Sequence, residues 1–267
     1  LLKRIVYVNG SFVREDLASI SIFDRGFLFA DSIYEVTGVI DSKLVDNNKH
    51  LNRLRDSLKF MNIDLTMTNN EIESIQNELI EKNDLDNGMV YLQISRGSED
   101  RDFLYSHSIE PTVVIFTQRK NFFKDPKALK GITVITQEDN RWKYKDIKTT
   151  SLLGSVLAKN EAKRKGADDS WYTKDGFVTE GAASNAFIVN KEKVIKTHPL
   201  SSDILPGTTR STVFEIAKLL DLTVKEEPFA VDEAIDSDEA FITGAGTLVI
   251  PVIKINQSVI GDGQPGE

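Results

Sequence analysis

The stretch DIKTTSLLGSVLAKNEA, residues 146–162, sets how the rest of the chain is read. Lys148 lies between Ile147 and the run Thr149-Thr150-Ser151, just ahead of Leu152, Leu153, Val156 and Leu157. Those apolar positions share one face of a helix running through Ala162, and the spacing predicts that the helix is buried. A lysine where a loop enters a buried helix is partly desolvated, which disfavours its charged form. Imine chemistry asks for such a lysine. Taken alone, the segment also reads as a solvated loop lysine ahead of a core helix, so the decision rests on its surroundings.

Upstream, RIVYVNGSFV (4–13) predicts two short strands around the Asn9-Gly10 turn. Residues 21–45 predict a loop and then a hairpin turning at Asp41-Ser42-Lys43. NNKHLNRLRDSLKF (47–60) has the spacing of an amphipathic helix, with Leu51, Leu54 and Leu58 on one face. Asn69-Asn70 predicts the cap of a second helix over 70–83 that carries Ile72, Ile75, Leu79 and Ile80. Residues 89–98 and 111–118 read as strands joined by the charged loop EDRDFLYSHSIE. The polar, proline-bearing segment 119–130 predicts a linker between domains 1–118 and 131–267.

Downstream of Lys148, residues 170–197 predict several short strands with turns at Lys174-Asp175-Gly176 and Lys191-Glu192. PGTTRSTVFEIAKLLD (206–221) predicts a helix with Val213, Ile216, Ala217 and Leu220 on its apolar face. VKEEPF reads as a strand, VDEAIDSD as a short helix, and EAFITGAGTLVIPVIKIN as strand, glycine loop and strand. The fold class is therefore α+β, in two segments with a cleft between them.

Composition narrows the function. The 267 residues are 40% hydrophobic, as expected of a soluble globular protein with a substantial core. A net charge of −8 argues against non-specific nucleic-acid binding. Without cysteine there is no disulfide framework, thiol nucleophile or thiolate metal site. His50, His107 and His198 form no metalloprotease-type pair, so no metal is expected. No apolar run reaches the ~18 residues of a membrane span, and LLKRIVYVNG does not read as a signal peptide. A cytoplasmic location is the expectation. The end GDGQPGE closes without an apolar element, which leads us to expect further residues at the termini.

Several residues could carry chemistry. Glu180 ends an apolar strand and is followed by Gly181-Ala182-Ala183-Ser184. It reads as a strand-end surface glutamate or, if buried, as an acid in need of a partner such as a protonated ring nitrogen. Gly207-Thr208-Thr209 opens a helix, and its N–H groups and hydroxyls suit an anion as well as plain capping. The loop at Gly244 and Ala245 could offer further N–H groups to the same anion. Arg53 lies one position off the leucine face of its helix, either solvated or placed to fork a phosphate. A lysine for an imine, an acid for a pyridine nitrogen and an anion cup are together what pyridoxal phosphate requires.

The run Glu180 to Phe187, then Ile195-Lys-Thr197-His-Pro, then Ile204 to Arg210 resembles the signature of the class IV (fold type IV) pyridoxal-phosphate aminotransferases. Asp24 to Phe27, Asp31 to Glu35, His50 to Leu54 and Asp146 to Lys148 also match, so the resemblance spans nearly the whole chain. It implies a small N-terminal α/β domain, a larger barrel-like C-terminal domain and the cofactor in the cleft between them. It implies that Lys148 forms the Schiff base and moves the proton between substrate Cα and cofactor C4′. Glu180 matches the partner of the pyridine nitrogen, Arg53, Thr208 and Thr209 the phosphate cup, and Leu205 the side chain packed on the ring. Thr208 stands where the signature is usually aliphatic. Ala245 replaces a frequent phosphate-binding threonine, leaving its backbone N–H.

Tyr91 to Gly97 followed by Arg101 is most similar to the D-amino-acid branch of the family. There an arginine matching Arg101 and a histidine bind the substrate carboxylate across a homodimer interface, with a tyrosine matching Tyr34. Phe103 stands in the histidine's place. The implied activity is ping-pong transfer of an amino group from a D-amino acid to a 2-oxo acid. A branched-chain or (R)-selective amine transaminase, or aminodeoxychorismate lyase, are the alternatives within the family.

Overall fold

The structure, a computed structural model, describes residues 4–266. Leu1-Leu2-Lys3, at the head of the stretch read as lacking a signal peptide, lies outside the described residues, as does the final Glu267. The chain divides into two compact units: Leu1–Asn121 with Ile147–Ser151, and Phe122–Asp146 with Leu152–Glu267.

The first unit opens with β1 (Ile5–Val8) and β2 (Ser11–Arg14). Asn9 and Gly10 turn between them, both at positive φ, as a two-residue hairpin turn requires. The expected loop beyond contains a short helix, α1 (Arg25–Phe29), whose first amides are capped by the Asp24 carboxylate. Then follow β3 (Ser32–Ile40), β4 (Lys43–Leu44), α2 (Asn47–Met61), α3 (Asn69–Lys82), β5 (Gly88–Ser95) and β6 (Thr112–Arg119). The cap of α3 is Thr68 rather than Asn69: Thr68 and Glu71 form a reciprocal capping box. All six strands pair antiparallel in the order β2-β1-β6-β5-β3-β4. Leu51, Leu54 and Leu58 of α2 and Ile72, Leu79 and Ile80 of α3 join Ile33, Leu92, Ile94 and Ile115 of the sheet in one core.

The second unit begins inside the segment expected as a linker, which holds the helix α4 (Pro126–Lys130). Asp125 caps it and Pro126 occupies its first turn, where a missing N–H costs nothing. Next come β7 (Ile132–Glu138), α5 (Leu153–Arg164), β8 (Asp169–Lys174), β9 (Phe177–Gly181), β10 (Ser184–Val189) and β11 (Ile195–Thr197). The chain continues through α6 (Thr208–Leu219), β12 (Val224–Glu226), β13 (Phe229–Ala230), α7 (Val231–Asp236), β14 (Glu239–Gly244), β15 (Leu248–Ile255) and β16 (Ser258–Val259). Pro228 divides the strand expected over VKEEPF into β12 and β13. One edge of β10 bonds β11 through residues 187–189 and β9 through residues 184–185. That second pairing closes β10-β14-β15-β7-β8-β9 into a six-stranded barrel. Its interior packs Val134, Trp171, Val178, Ile188, Ile242 and Val252.

Two helices reverse the expected burial. On α5 and its N-cap, Leu153, Val156 and Leu157 are exposed and Leu152 is at the exposed margin, while Ala158 and Ala162 are buried. Small residues let this helix approach β8 closely, so its leucine face points away from the barrel. On α6, Ala217 is buried but Ile216 and Leu220 are exposed.

Candidate active site

Lys148 is placed by the first unit. The Tyr34 N–H donates to the Lys148 carbonyl at 2.9 Å, the Thr150 N–H donates to the Ser32 carbonyl at 3.1 Å, and Ile33 bridges Thr149. The segment thus acts as an extra strand beside the start of β3, which β4 is too short to cover. This is why 147–151 belongs to the first unit although the sequence assigns it to the C-terminal domain. The Nζ of Lys148 lies 4.3 Å from the centre of the Tyr34 ring, and that ring stacks on Tyr91 at 5.6 Å. Burial, and then the neighbouring Tyr34, raises the Tyr91 hydroxyl above its ordinary pKa.

Glu35, next on β3, points to the opposite face and is 1% exposed. Arg53 grips it with Nε to Oε1 at 2.8 Å and Nη2 to Oε2 at 2.7 Å, and His50 Nδ1 lies 2.7 Å from Oε2. Burial alone would raise this carboxyl. Arg53, His50 and Lys148 outweigh it and hold Glu35 at about 2. Arg53 is therefore buried on α2 and committed to Glu35 through two nitrogens, unlike the solvated arginine that is the default for such a position.

Glu180 is placed by the second unit, at the end of β9. Its Oε2 accepts from the Leu205 N–H at 3.0 Å and from Asn185 Nδ2 at 3.3 Å. Its Oε1 accepts from Arg141 Nη1 at 2.8 Å. Arg141 also forks Asp139 through Nε and Nη2 and lies 4.0 Å over the Tyr172 ring. Burial disfavours the charge on Arg141, yet Asp139 and Glu180 keep it raised. Burial pushes Glu180 up to about 6 in spite of Arg141. Of the two initial readings of Glu180, the buried acid is the one observed.

Asn185 connects this acid to the next element. Its Nδ2 donates to the Leu205 carbonyl at 2.9 Å, and a Cβ at position 207 would collide with its Oδ1. Gly207 is therefore required at the N-cap of α6, where Thr208 and Thr209 follow as the first helical residues. The helix packs on β14, whose last residue, Gly244, begins the turn closed by Thr247 N–H to the Gly244 carbonyl at 3.0 Å. A Cβ at position 244 would crowd Thr247 Oγ1 at 3.1 Å, with Ala183 and Ser184 at ordinary contact distance. Leu205, Thr208, Thr209, Gly244 and Ala245 all belong to this second unit.

Arg101 and Phe103 lie on the loop between β5 and β6, and both are exposed. Arg101 lies 5.2 Å from the Phe29 ring centre and 5.7 Å from that of Phe103. Residue spacing assigns no role to Glu35, His50 or Arg141. Their signal is three-dimensional: a buried charge whose partners come from other elements.

The chain matches the amino-transferase class IV family over residues 32–255. It is 36% identical over 263 residues to the D-alanine aminotransferase of Staphylococcus epidermidis, covering 98% of this chain and 92% of that protein. The D-alanine aminotransferase of Bacillus licheniformis is 35% identical with the same coverage. Among solved structures, the branched-chain amino acid aminotransferase of Escherichia coli superposes with a TM-score of 0.93 at 25% identity, over 99% of this chain and 90% of that one. The branched-chain aminotransferase of the archaeon Thermoproteus uzoniensis, solved with norvaline, shares the fold at a TM-score of 0.89 and 24% identity, over 99% of this chain and 90% of that one. The chain belongs to the class IV aminotransferases of fold type IV, which are pyridoxal-phosphate-dependent enzymes.

The residues present fit that cofactor. Glu180 uses three of the roughly four acceptor positions of a carboxylate, which leaves one for a ring N–H. Ser184 Oγ and Thr243 Oγ1 are buried hydroxyls with no hydrogen-bond partner among the described residues. They flank the Gly244 turn, where the oxygen atoms of a phosphate would satisfy them.

Proposed function

We propose that this enzyme transfers the amino group of a D-amino acid such as D-alanine to a 2-oxo acid, in a ping-pong cycle. One observation carries the reading: Lys148 is fixed by main-chain bonds to β3 with its amine over Tyr34. Bound pyridoxal phosphate supplies the electron sink for the charge left when a Cα proton is removed. Lys148 would hold the cofactor through its amine and would take up and return the Cα proton of the substrate. Glu180 keeps the ring nitrogen protonated, and Arg141 fixes the plane of Glu180. Thr208, Thr209 and the backbone of Gly244 and Ala245 bind the phosphate, joined by Arg53, whose orientation Glu35 sets. Leu205 packs on the ring. Tyr34 and Arg101 bind the substrate, Arg101 through its carboxylate.

The D-amino-acid assignment is supported by the relatives named D-alanine aminotransferase and by the position of Arg101. Phe103 favours a second reading, because an exposed phenyl ring in the histidine's place offers apolar contact rather than a charge. A branched-chain L-amino acid or a neutral (R)-amine would benefit from it. Aminodeoxychorismate cleavage uses the same lysine and cofactor.

We further propose a homodimer in the cytoplasm. Exposed Leu153, Val156 and Leu157 on α5, and Ile20, Ile22, Phe23 and Phe27 around α1, are apolar surface that a second copy would cover. Among the described residues no helix is long and apolar enough to cross a membrane.

The substrate is tested by mixing the cofactor-loaded enzyme with D-alanine, L-leucine or (R)-1-phenylethylamine and following the visible band. Bleaching by D-alanine first is the expected result. Bleaching by L-leucine alone would overturn the D-specific reading.

A further inference from the structure

Within the first unit, the main chain of the loop that carries Arg101 and Phe103 is held by a buried arginine. Arg25, on α1, is 4% exposed. Its Nη1 donates to the carbonyl of Asp102 at 2.7 Å and to that of Leu104 at 3.3 Å, and its Nη2 donates to the carbonyl of Phe103 at 3.3 Å. Three successive main-chain oxygens around Phe103 are thus read by a single guanidinium. Nη1 also approaches the Glu99 carboxylate at 3.4 Å, and that carboxylate in turn accepts from the N–H and hydroxyl of Ser106. The start and end of the loop are tied to each other as well as to α1.

The fork is held from behind. Arg25 Nε donates to Asp31 at 3.0 Å, and Arg96 forks the same carboxylate at 2.8 and 3.0 Å. The Arg25 N–H donates to the carbonyl of Gly97, whose φ of +114° suits only glycine. Arg25 stacks over Phe29 at 4.8 Å, and the same Phe29 ring lies under Arg101 and beside Phe103. Tyr105 lies between Arg25 and Arg96, 3.7 Å from the latter.

We infer that Arg25 is a positioning residue for substrate selection: it sets the backbone of residues 99–105 and thereby the direction in which Arg101 and Phe103 are presented. This role rests on the proposed carboxylate contact of Arg101. A lysine could keep the charge beside Asp31, but its single ammonium lacks the planar fork that reaches three carbonyls at once.

The test compares the cofactor-loaded wild type with Arg25→Lys, Glu99→Gln and Arg101→Ala. Hydrogen exchange over residues 99–106 and KM and kcat for D-alanine and for (R)-1-phenylethylamine are measured. Arg25→Lys is expected to speed exchange in this loop alone and to raise KM for D-alanine about tenfold, with kcat and the neutral amine changed less than about twofold and the cofactor absorbance unchanged. Glu99→Gln, which leaves Arg25 in place, is expected to act in the same direction but less. Loop exchange at the wild-type rate in both variants would overturn the clamp. So would a loosened loop with an unaltered KM for D-alanine, or equal losses on both substrates. If Arg101→Ala leaves KM for D-alanine unchanged, the carboxylate role fails and takes the proposal with it, an outcome distinct from clamp failure, in which Arg101→Ala raises KM and Arg25→Lys does not.

Discussion

Tyr34 and Lys148 are joined twice: the backbone N–H of Tyr34 donates to the carbonyl of Lys148, and the amine of Lys148 lies over the ring of Tyr34. The amine therefore points where β3 dictates rather than where a free loop would carry it. A cation over an aromatic face gains about 0.5–2 kcal/mol. Tyr34→Phe keeps the ring and is expected to retain cofactor loading within about twofold. Tyr34→Leu removes an attraction to the ammonium that is present before the cofactor binds. Loading is then expected to be undiminished and up to about 2- to 30-fold tighter, the equilibrium equivalent of that range, measured by titration of pyridoxal phosphate.

Glu35 lies at about 2 when folded, against an ordinary 4.5. A carboxyl held low contributes stability that is present above 4.5 and lost as pH falls toward 2, here on the order of 3 kcal/mol. Urea unfolding at pH 7, 4 and 3 should show this loss in the wild type and a flatter profile in Glu35→Gln. At pH 7 the variant should be less stable by about 3–5 kcal/mol, because Arg53 is left buried without its anion.

Glu180 shows the opposite sign. Its folded value of about 6 lies above the ordinary 4.5, so its contribution is present below 4.5 and is lost as pH rises through 6. The cofactor-free protein thus carries a cost on the order of 2 kcal/mol at pH 8. Cofactor-free Glu180→Gln should gain up to that amount at pH 8 relative to the wild type, by urea unfolding. If Glu180 partners the ring nitrogen as proposed, the same variant, loaded, should lose on the order of 100-fold in kcat. Equal stability of the two proteins at pH 8 would contradict the buried-acid account.

The leucine face of α5 makes a prediction about assembly. Leu153→Glu with Leu157→Glu should leave the barrel folded, because both side chains are exposed. Sedimentation should show the wild type as a dimer and the double variant as a monomer at micromolar concentration. A monomeric wild type would remove this surface from the account.

The candidate residues are more legible in the sequence than their surroundings. Lys148, Glu180 and the Gly207-Thr208-Thr209 turn stand out because each adjoins a patterned strand or helix, but the burial of Glu180 and the exposed leucine face that follows Lys148 come only from packing. The paired strands at Asn9-Gly10 and Asp41-Ser42 follow from turn residues that tolerate positive φ. Glu35, His50 and Arg53 come from β3 and α2, and Arg141 meets Glu180 from 39 residues away. Period-two spacing says which face Glu35 takes but not which charges meet it there. The apolar stripe of α5 misleads for a related reason: spacing identifies an apolar face, and only packing tells whether it turns to the barrel or to another chain. Asn69 competes with Thr68 as a cap on residue type alone, although Thr68 with Glu71 carries the stronger capping pattern.

The central claim is that Lys148 performs the chemistry, and the most direct measurement is the visible spectrum of the purified enzyme with pyridoxal phosphate, before and after D-alanine. The wild type should show the band of the lysine-linked cofactor and lose it on addition of D-alanine. Lys148→Ala should show neither that band nor turnover. A Lys148→Ala protein that keeps the band and the bleaching would contradict the account.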